Sequence, residues 1–316
     1  MKSPVLLLAY NRPKEINKVL NFLIRLKVSK IYISVDGPKN NKKDINAHKQ
    51  IKKILNFLQN KKIKINYLKK NYGCKKAVEK GINWFFSHVE MGIILEDDCM
   101  PNRSFFIFCE KMLKKYKNTQ VKVISGNNFL REKINISNHC YFSKFNHCWG
   151  WATWKDAWSL YDDKYLNWNK FKKSNYWNNL FTNKVYQNYW EKIFDLSRKK
   201  RFDSWAYPWL YSIWYNKGFT IIPKYNLVRN TGYIGTHNTF NLKFDFKTKE
   251  LNANFKFPKE ITINKKADDF VMENFFVPKN FLWPTRFIYL IKRFFQDPNL
   301  FIKTMFKKIG NKNVII

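Results

Sequence analysis

The stretch Gly92-Ile93-Ile94-Leu95-Glu96-Asp97-Asp98 runs apolar and then sets three carboxylates in a row. Gly92–Leu95 reads as a short strand buried in a sheet, so the acids emerge at its carboxyl end, where an open α/β sheet binds its ligand. Adjacent carboxylates repel one another unless a cation or a set of donors lies between them, and hard oxygen ligands select Mg²⁺ or Mn²⁺ over softer-site metals. A divalent ion bridging to a diphosphate meets both needs. The competing use of three acids here is the start of a helix, because Asn102–Lys117 has helical spacing and follows closely.

Outward from this stretch, short apolar runs alternate with longer amphipathic ones, the pattern of strands joined by crossover helices. Val5–Ala9, Ile31–Val35 and Ile63–Leu68 read as strands. Lys14–Leu26, Asp44–Gln59 and Lys75–Val89 read as helices, with Ile51, Ile54, Leu55 and Leu58 sharing one face of the second. With Val121–Ser125 as a further strand, residues 1–126 form a doubly wound, mainly parallel α/β core. From 127 to about 200 the periodicity weakens while Trp149, Trp151, Trp154, Trp158, Trp168, Trp177 and Trp190 recur, which predicts short helices and loops laid over the binding edge. Phe202–Tyr215 then reads as a helix and Thr220–Ile222 as a strand. Residues 127–245 thus make an acceptor-side region of the same 1–245 domain, and 246–316 a basic amphipathic C-terminal extension.

The other strand ends add to the crevice. Ala9-Tyr10-Asn11-Arg12-Pro13 offers polar side chains and a proline suited to begin a helix. Ser34-Val35-Asp36-Gly37 places Asp36 before a turn. Asn71-Tyr72-Gly73-Cys74-Lys75 is a glycine turn entering a helix, whose free amides and positive dipole end favour an anion. Each alone is an ordinary turn. Together, Tyr10, Asn11, Arg12, Asp36, Gly73, Lys75, Glu96 and Asp97 make a nucleotide-diphosphate site with Asp98 as metal ligand. Trp149, Trp151 and Trp154, with Trp205, would line a sugar and acceptor pocket, since aromatic faces stack on sugar rings; core packing is the alternative.

This succession, above all Ile94-Leu95-Glu96-Asp97-Asp98, resembles the eukaryotic N-acetylglucosaminyltransferase I family and its bacterial relatives, which have the GT-A fold. The likeness runs over residues 4 to 240, with the acidic triplet its specific motif. It implies an inverting transfer from a UDP-sugar with Mn²⁺ or Mg²⁺. It also implies that Arg12 and Asp36 contact the nucleotide, Glu96 and Asp97 the ribose or sugar, and Asp98 the metal. The family's carboxylate base at the start of a late helix matches Asp203. Displacement at an anomeric carbon independently needs such a base opposite the departing diphosphate; the other reading of Asp203 is an N-cap of the Ser204–Tyr215 helix. Many GT-A enzymes bring a late His over the pyrophosphate, which makes His237 a candidate metal or phosphate ligand, with a plain surface-loop His the alternative.

A formal charge of +36 with 18% aromatic residues also fits a nucleic-acid-binding protein, but that reading leaves the acidic triplet unexplained. A sugar nucleotidyltransferase would carry a glycine-rich loop after the first strand, where this chain has Tyr10-Asn11-Arg12-Pro13. The expected partners are therefore a nucleotide-sugar donor and a glycan or lipid-linked glycan acceptor. Leu282–Lys308 mixes aromatic and aliphatic residues with lysine and arginine, and suits equally a helix in an anionic membrane surface or one packed on the protein. Five cysteines without a CxxC pair, and no long apolar run at the N-terminus, point to a cytoplasmic setting, with peripheral attachment to the inner membrane face under the first of those two readings.

Overall fold

Val5-Leu6-Leu7-Leu8-Ala9 is apolar at every position and forms β1 (Val5–Ala9), buried along its whole length. That is the signature of a strand covered by helices on both faces. In the computed structural model, which describes residues 1–58, 62–232, 246–252 and 254–277, β1 is flanked by β2 (Ile31–Val35) and β4 (Met91–Glu96), both parallel to it. β3 (Ile63–Tyr67) pairs with β2, also parallel. The crossovers are α1 (Pro13–Arg25), α2 (Lys42–Leu58) and α3 (Gly73–Phe86). In α1, Pro13 begins the helix and Ile16, Val19, Leu20 and Leu23 form the buried stripe. These elements match the expected ones to within a few residues at each end.

After β4 come a short strand β5 (Cys99–Pro101), α4 (Arg103–Lys115) and β6 (Val121–Ser125). The Asn102 side chain caps α4 by accepting from the Phe105 amide at 3.1 Å. The acidic triplet therefore does not serve as the cap.

The stretch from 127 to 200 departs from the expected loops and short helices. It contributes β7 (Cys140–Ser143) and β8 (Trp151–Trp154) to the sheet. β8 runs antiparallel between β4 and β6, with Trp151 opposite both Ile94 and Ser125. A four-residue strand buried on both faces shows no apolar/polar alternation, so its tryptophans carry no period to read. The helices α5 (Lys155–Trp158), α6 (Trp168–Phe171), α7 (Asn175–Leu180) and α8 (Lys184–Arg198) follow, then α9 (Ala206–Tyr215), β9 (Phe219–Pro223) and β10 (Val228–Asn230). The sheet order is β3-β2-β1-β4-β8-β6-β9-β7, and β10 pairs with β5 in a separate ribbon. Six of the eight strands point one way, so the fold is α/β with a mainly parallel sheet, as read from the sequence.

The tryptophans do structural work. Trp168 meets Trp177 at 5.0 Å and Trp190 meets Trp214 at 5.2 Å between ring centroids, tying α6–α9 into one aromatic core. The last described element, α10 (Lys265–Val271), continues into a π-helical turn at Met272–Phe276. It docks on β7 through buried Asp268, which accepts from Ser143 Oγ at 2.5 Å and the Lys144 amide at 3.1 Å. Leu282–Lys308 lies outside the described residues. Among those described, no helix is long and apolar enough to cross a membrane, and all five cysteines are free thiols.

Candidate functional site

The parallel strands deliver their carboxyl ends to one edge of the sheet. Leu8 of β1 is the register partner of Glu96, and the Asp36 amide donates to the Ala9 carbonyl at 3.0 Å. Tyr10–Arg12, Asp36 and Glu96–Asp98 thus share that edge.

Arg12 lies between two of the acids, its Nη1 donating to Asp97 Oδ1 at 2.7 Å and Asp98 Oδ2 at 2.9 Å. The Tyr10 amide donates to the remaining Asp97 oxygen at 3.1 Å. Burial opposes the charge on Arg12, and the two carboxylates outweigh it to hold the guanidinium more firmly protonated. Burial pushes Asp97 up to about 6, with Arg12 pulling the other way. Glu96 is raised furthest, by burial and then by the charges of Asp98 and Asp97, while Arg12 and a hydrogen bond from Trp205 lower it. The triplet therefore sets three carboxylates against one guanidinium, and burial first, with neighbouring charge added to it, makes Glu96 and Asp97 reluctant to ionise.

Asp36 is held from several sides. It accepts from the Gly37 amide at 2.9 Å, from Asn71 Nδ2 at 3.0 Å and from the Tyr72 amide at 3.0 Å. Burial raises its pKa and these amides lower it. Asp36 thereby fastens the end of β2 to the start of α3.

Asp203 does not cap its own helix, which begins only at Ala206. Its two oxygens accept from the Cys74 amide at 2.9 Å and the Lys75 amide at 3.0 Å, so the anion expected at the start of α3 is this side chain. Gly73 sits at φ +78°, and a Cβ there would stand 2.9 Å from Asp203 Oδ2, so conformation and space both call for glycine. The Lys75 ammonium turns aside to Asp163, at 3.5 Å. Two residues after Asp203, Trp205 reaches Glu96, so the 203–205 turn bridges the helix start and the triplet. The same surroundings act on two thiols: burial raises Cys74 and Cys148 to about 12, and in both the charges of Glu96 and Asp98 add to it.

Over the triplet lies the end of β10. The Thr231 amide donates to the Asp98 carbonyl at 2.7 Å, and a Cβ on Gly232 would come within 2.0 Å of Asp98 Oδ2. His237 is outside the described residues.

The tryptophans divide. Trp149 is half-buried against Phe129 and Phe246 at the crevice edge of β8. Trp151 and Trp205 are buried and stack on one another at 5.3 Å, beneath the crevice. Trp154 does not reach the site: it pairs with Met91 at the opposite end of β4, and its indole donates to the Leu113 carbonyl at 3.1 Å. Its run with Trp149 and Trp151 in sequence is undone by the strand, whose length carries it across the sheet.

Sequence reading missed Asp44, on the first turn of α2. It accepts from the Tyr10 hydroxyl, from Asn11 Nδ2 at 2.9 Å and from the Lys39 amide at 3.3 Å, fixing the two residues that precede Arg12. Burial would raise its pKa, but these hydrogen bonds prevail and lower it. Asn71 stands in the glycine turn that the sequence marks as an anion site, and His147 in the 146–154 block that it marks as lining the sugar and acceptor pockets, though neither has a role of its own there; Asn127 has no motif around it.

Fold and site together define a mainly parallel α/β protein with an under-neutralised acidic crevice at the carboxyl edge of its sheet. No family model matches the chain, and no curated protein matches it. Solved structures give distant likenesses. The mannosyltransferase PcManGT from Pyrobaculum calidifontis, in complex with GDP-Man and Mn²⁺, is 12% identical, with 68% of this chain and 70% of that one covered at a TM-score of 0.36. HddC from Yersinia pseudotuberculosis is 14% identical over 49% of this chain and 77% of that one, with a TM-score of 0.32. UTP-bound UGPase from Acinetobacter baumannii is 6% identical over 71% and 86%, with a TM-score of 0.34. Likeness at this level carries no weight for substrate or chemistry.

Proposed function

We propose that the chain is a metal-dependent GT-A-type glycosyltransferase, moving a sugar from a nucleoside-diphosphate sugar to a hydroxyl of a glycan or lipid-linked glycan. The observation that carries this reading is the charge imbalance at the end of β4, where three carboxylates meet one guanidinium at the ligand-binding edge of the sheet. UDP as the nucleotide and inversion at the anomeric carbon rest on the resemblance to the acetylglucosaminyl enzymes. An acceptor at an anionic membrane surface rests on the net charge of +36 and the composition of Leu282–Lys308.

Among the described residues no group of three or more His, Cys, Asp or Glu side chains is arranged to hold a metal ion. No such group is needed for this reading, since Mg²⁺ and Mn²⁺ can bind through one or two carboxylates and complete their shell with water and substrate phosphates. Asp98 would hold it, with His237 the second candidate. When bound, the ion supplies neutralisation of the charge that develops on the departing diphosphate.

The chain's own residues do the rest. Asp36, Asn11 and Arg12 bind the nucleotide portion, and the carboxylates of Glu96 and Asp97 orient the ribose and sugar. Asp203 accepts one amide per oxygen and keeps a free lone pair on each, so it can take the acceptor's proton while staying fixed. The acceptor oxygen bonds to the anomeric carbon as the bond from that carbon to the diphosphate oxygen breaks. The proton goes to Asp203, and the electron pair leaves with the diphosphate.

The test is an assay of nucleoside diphosphate release from a panel of UDP- and GDP-sugars with Mn²⁺. Release that depends on Mn²⁺ and is lost in Asp98→Ala supports the reading; Mn²⁺-dependent turnover unchanged in that variant removes the metal assignment. Consumption of a nucleoside triphosphate and a sugar phosphate with release of pyrophosphate would instead make the chain a nucleotidyltransferase.

A further inference from the structure

At the carboxyl end of β6, Ser125-Gly126-Asn127 meets the approach to β8, Asn146-His147-Cys148-Trp149-Gly150. The two segments are laced together. Gly126 donates its amide to the Gly150 carbonyl at 2.7 Å, Ser125 Oγ donates to the His147 carbonyl at 2.8 Å, and the Trp149 amide donates to Asn127 Oδ1 at 3.1 Å. His147 Nδ1 lies 3.2 Å from the Asn127 carbonyl. A carbonyl only accepts, so Nδ1 carries the proton and Nε2 is left as a bare lone pair.

That Nε2 has no hydrogen-bond partner, and neither do Asn127 Nδ2 and Asn146 Nδ2. Asn127 and His147 are nevertheless only 1% and 2% exposed. Buried polar atoms nearly always find partners, so orphans gathered in one laced cluster ask for a polar guest.

The cluster stands beside the acidic site. Ile94, Trp151 and Ser125 are register partners across β4, β8 and β6. Two residues further on, Glu96 and Asn127 reach the same sheet edge on either side of β8, roughly 10 Å apart by strand spacing. Cys148, between His147 and Trp149, feels the charges of both Glu96 and Asp98. Phe129, Asn146, Cys148 and Trp149 around it are half-buried, and the Phe129 ring packs on the His147 ring at 4.4 Å between centroids.

A bare imidazole lone pair and unpartnered amide donors in the same laced segments match a hydroxyl group, which can donate to the imidazole while its oxygen accepts from an amide. A phosphate or carboxylate oxygen would be repelled by Nε2, and an apolar group would leave every orphan as it is. We propose that Asn127 and His147 form a hydroxyl-recognition subsite for a sugar ring held next to the acidic triplet. This rests on the nucleotide-sugar reading above, and the hydroxyl can belong to the donor sugar or to the acceptor.

The test uses the full chain with ¹⁵N-labelled histidine, its five histidines told apart by substitution. UDP, GDP and the corresponding sugar nucleotides are added in turn with Mn²⁺, with binding followed by calorimetry. A donor-sugar contact moves the His147 Nε2 resonance with a nucleotide sugar but not with the bare nucleotide. His147→Phe then raises the Kd of that nucleotide sugar roughly tenfold and leaves the Kd of the nucleotide unchanged. An acceptor contact leaves donor Kd unchanged and raises the acceptor KM by a similar factor, with the resonance moving only when acceptor is added.

If nucleotide sugars and acceptors bind while the resonance and all affinities stay put, the cluster holds buried water only and the proposal is overturned. Substituting the other four histidines assigns the His147 resonance by elimination, so misfolding of His147→Phe leaves the test standing. Should calorimetry detect no nucleotide sugar, the donor reading has failed separately. The subsite is then judged with methyl glycosides at high concentration, and a resonance indifferent to them sinks it as well.

Discussion

Under the proposed function Asp203 would combine two duties that pull in different directions. As a cap it fixes the start of α3 with both oxygens; as a base it would have to give up a lone pair to a proton. Asp203→Asn keeps one acceptor oxygen, so stability should fall by about 1 kcal/mol with donor affinity retained. Transfer should drop by about 10²-fold or more, the usual contribution of a positioned base. A variant that is less stable yet transfers sugar normally would leave Asp203 as a cap only. His147 gives a second residue-scale expectation. Burial holds its pKa down to about 4 in the folded chain, whereas the unfolded chain takes up the proton near pH 6.5, its ordinary value. Stability from this group is therefore full above pH 6.5 and is lost as pH falls from there towards 4, by up to about 3 kcal/mol. Urea denaturation at pH 7 and pH 4.5 should show a smaller difference for His147→Phe than for the parent; equal differences would place the acid sensitivity elsewhere. Glu96–Asp98, Arg12 and Asp36 were legible in the sequence because each stands at the carboxyl end of a strand or within a few residues of it. Asp44 and the partners of Asp203 were not, because contacts between residues far apart in the chain leave no trace in local spacing.

At the scale of elements, the parallel half could be read because short apolar runs such as β1 alternate with the longer helices α1, α2 and α3, whose apolar residues recur at helical spacing. The antiparallel insertion could not. β7 and β8 are four residues each and buried throughout, so neither length nor alternation separates them from a packed loop. The same shortness misled the reading of Trp154, which β8 carries to the far edge. The docking of α10 rests on a buried carboxylate. Asp268 is raised to about 6, by burial first, against the pull of Lys144, and it answers the Ser143 hydroxyl and the Lys144 amide. Removing it leaves those two buried donors without their acceptor, so Asp268→Ala should destabilise the chain by about 1–3 kcal/mol. Urea midpoints measure this, and a change within about 0.5 kcal/mol, the usual range for surface substitutions, would mean these hydrogen bonds are not what holds α10 to β7.

For the whole molecule the dominant number is +36. Such a chain repels itself, and the repulsion between exposed lysines is screened within a Debye length of about 10 Å at 0.1 M salt. Its thermal midpoint should therefore rise as NaCl is raised from about 10 mM to about 200 mM, a range over which the Debye length shortens severalfold; a midpoint that falls would mean that attractive pairs such as those of Arg12 outweigh the surface repulsion. The fold also has a consequence for how such a crevice diversifies. β8 enters the sheet at the lip instead of leaving it there, and the chain from Gly126 to His139 both departs and rejoins the sheet on that edge, His139 being tied to Lys224 beside the end of β9. Insertions, deletions or loop grafts in that span would recontour one wall of the opening while the strand pairs behind it keep their alignment. Selectivity can thus drift by editing an excursion, with the scaffold and its acidic centre inherited intact.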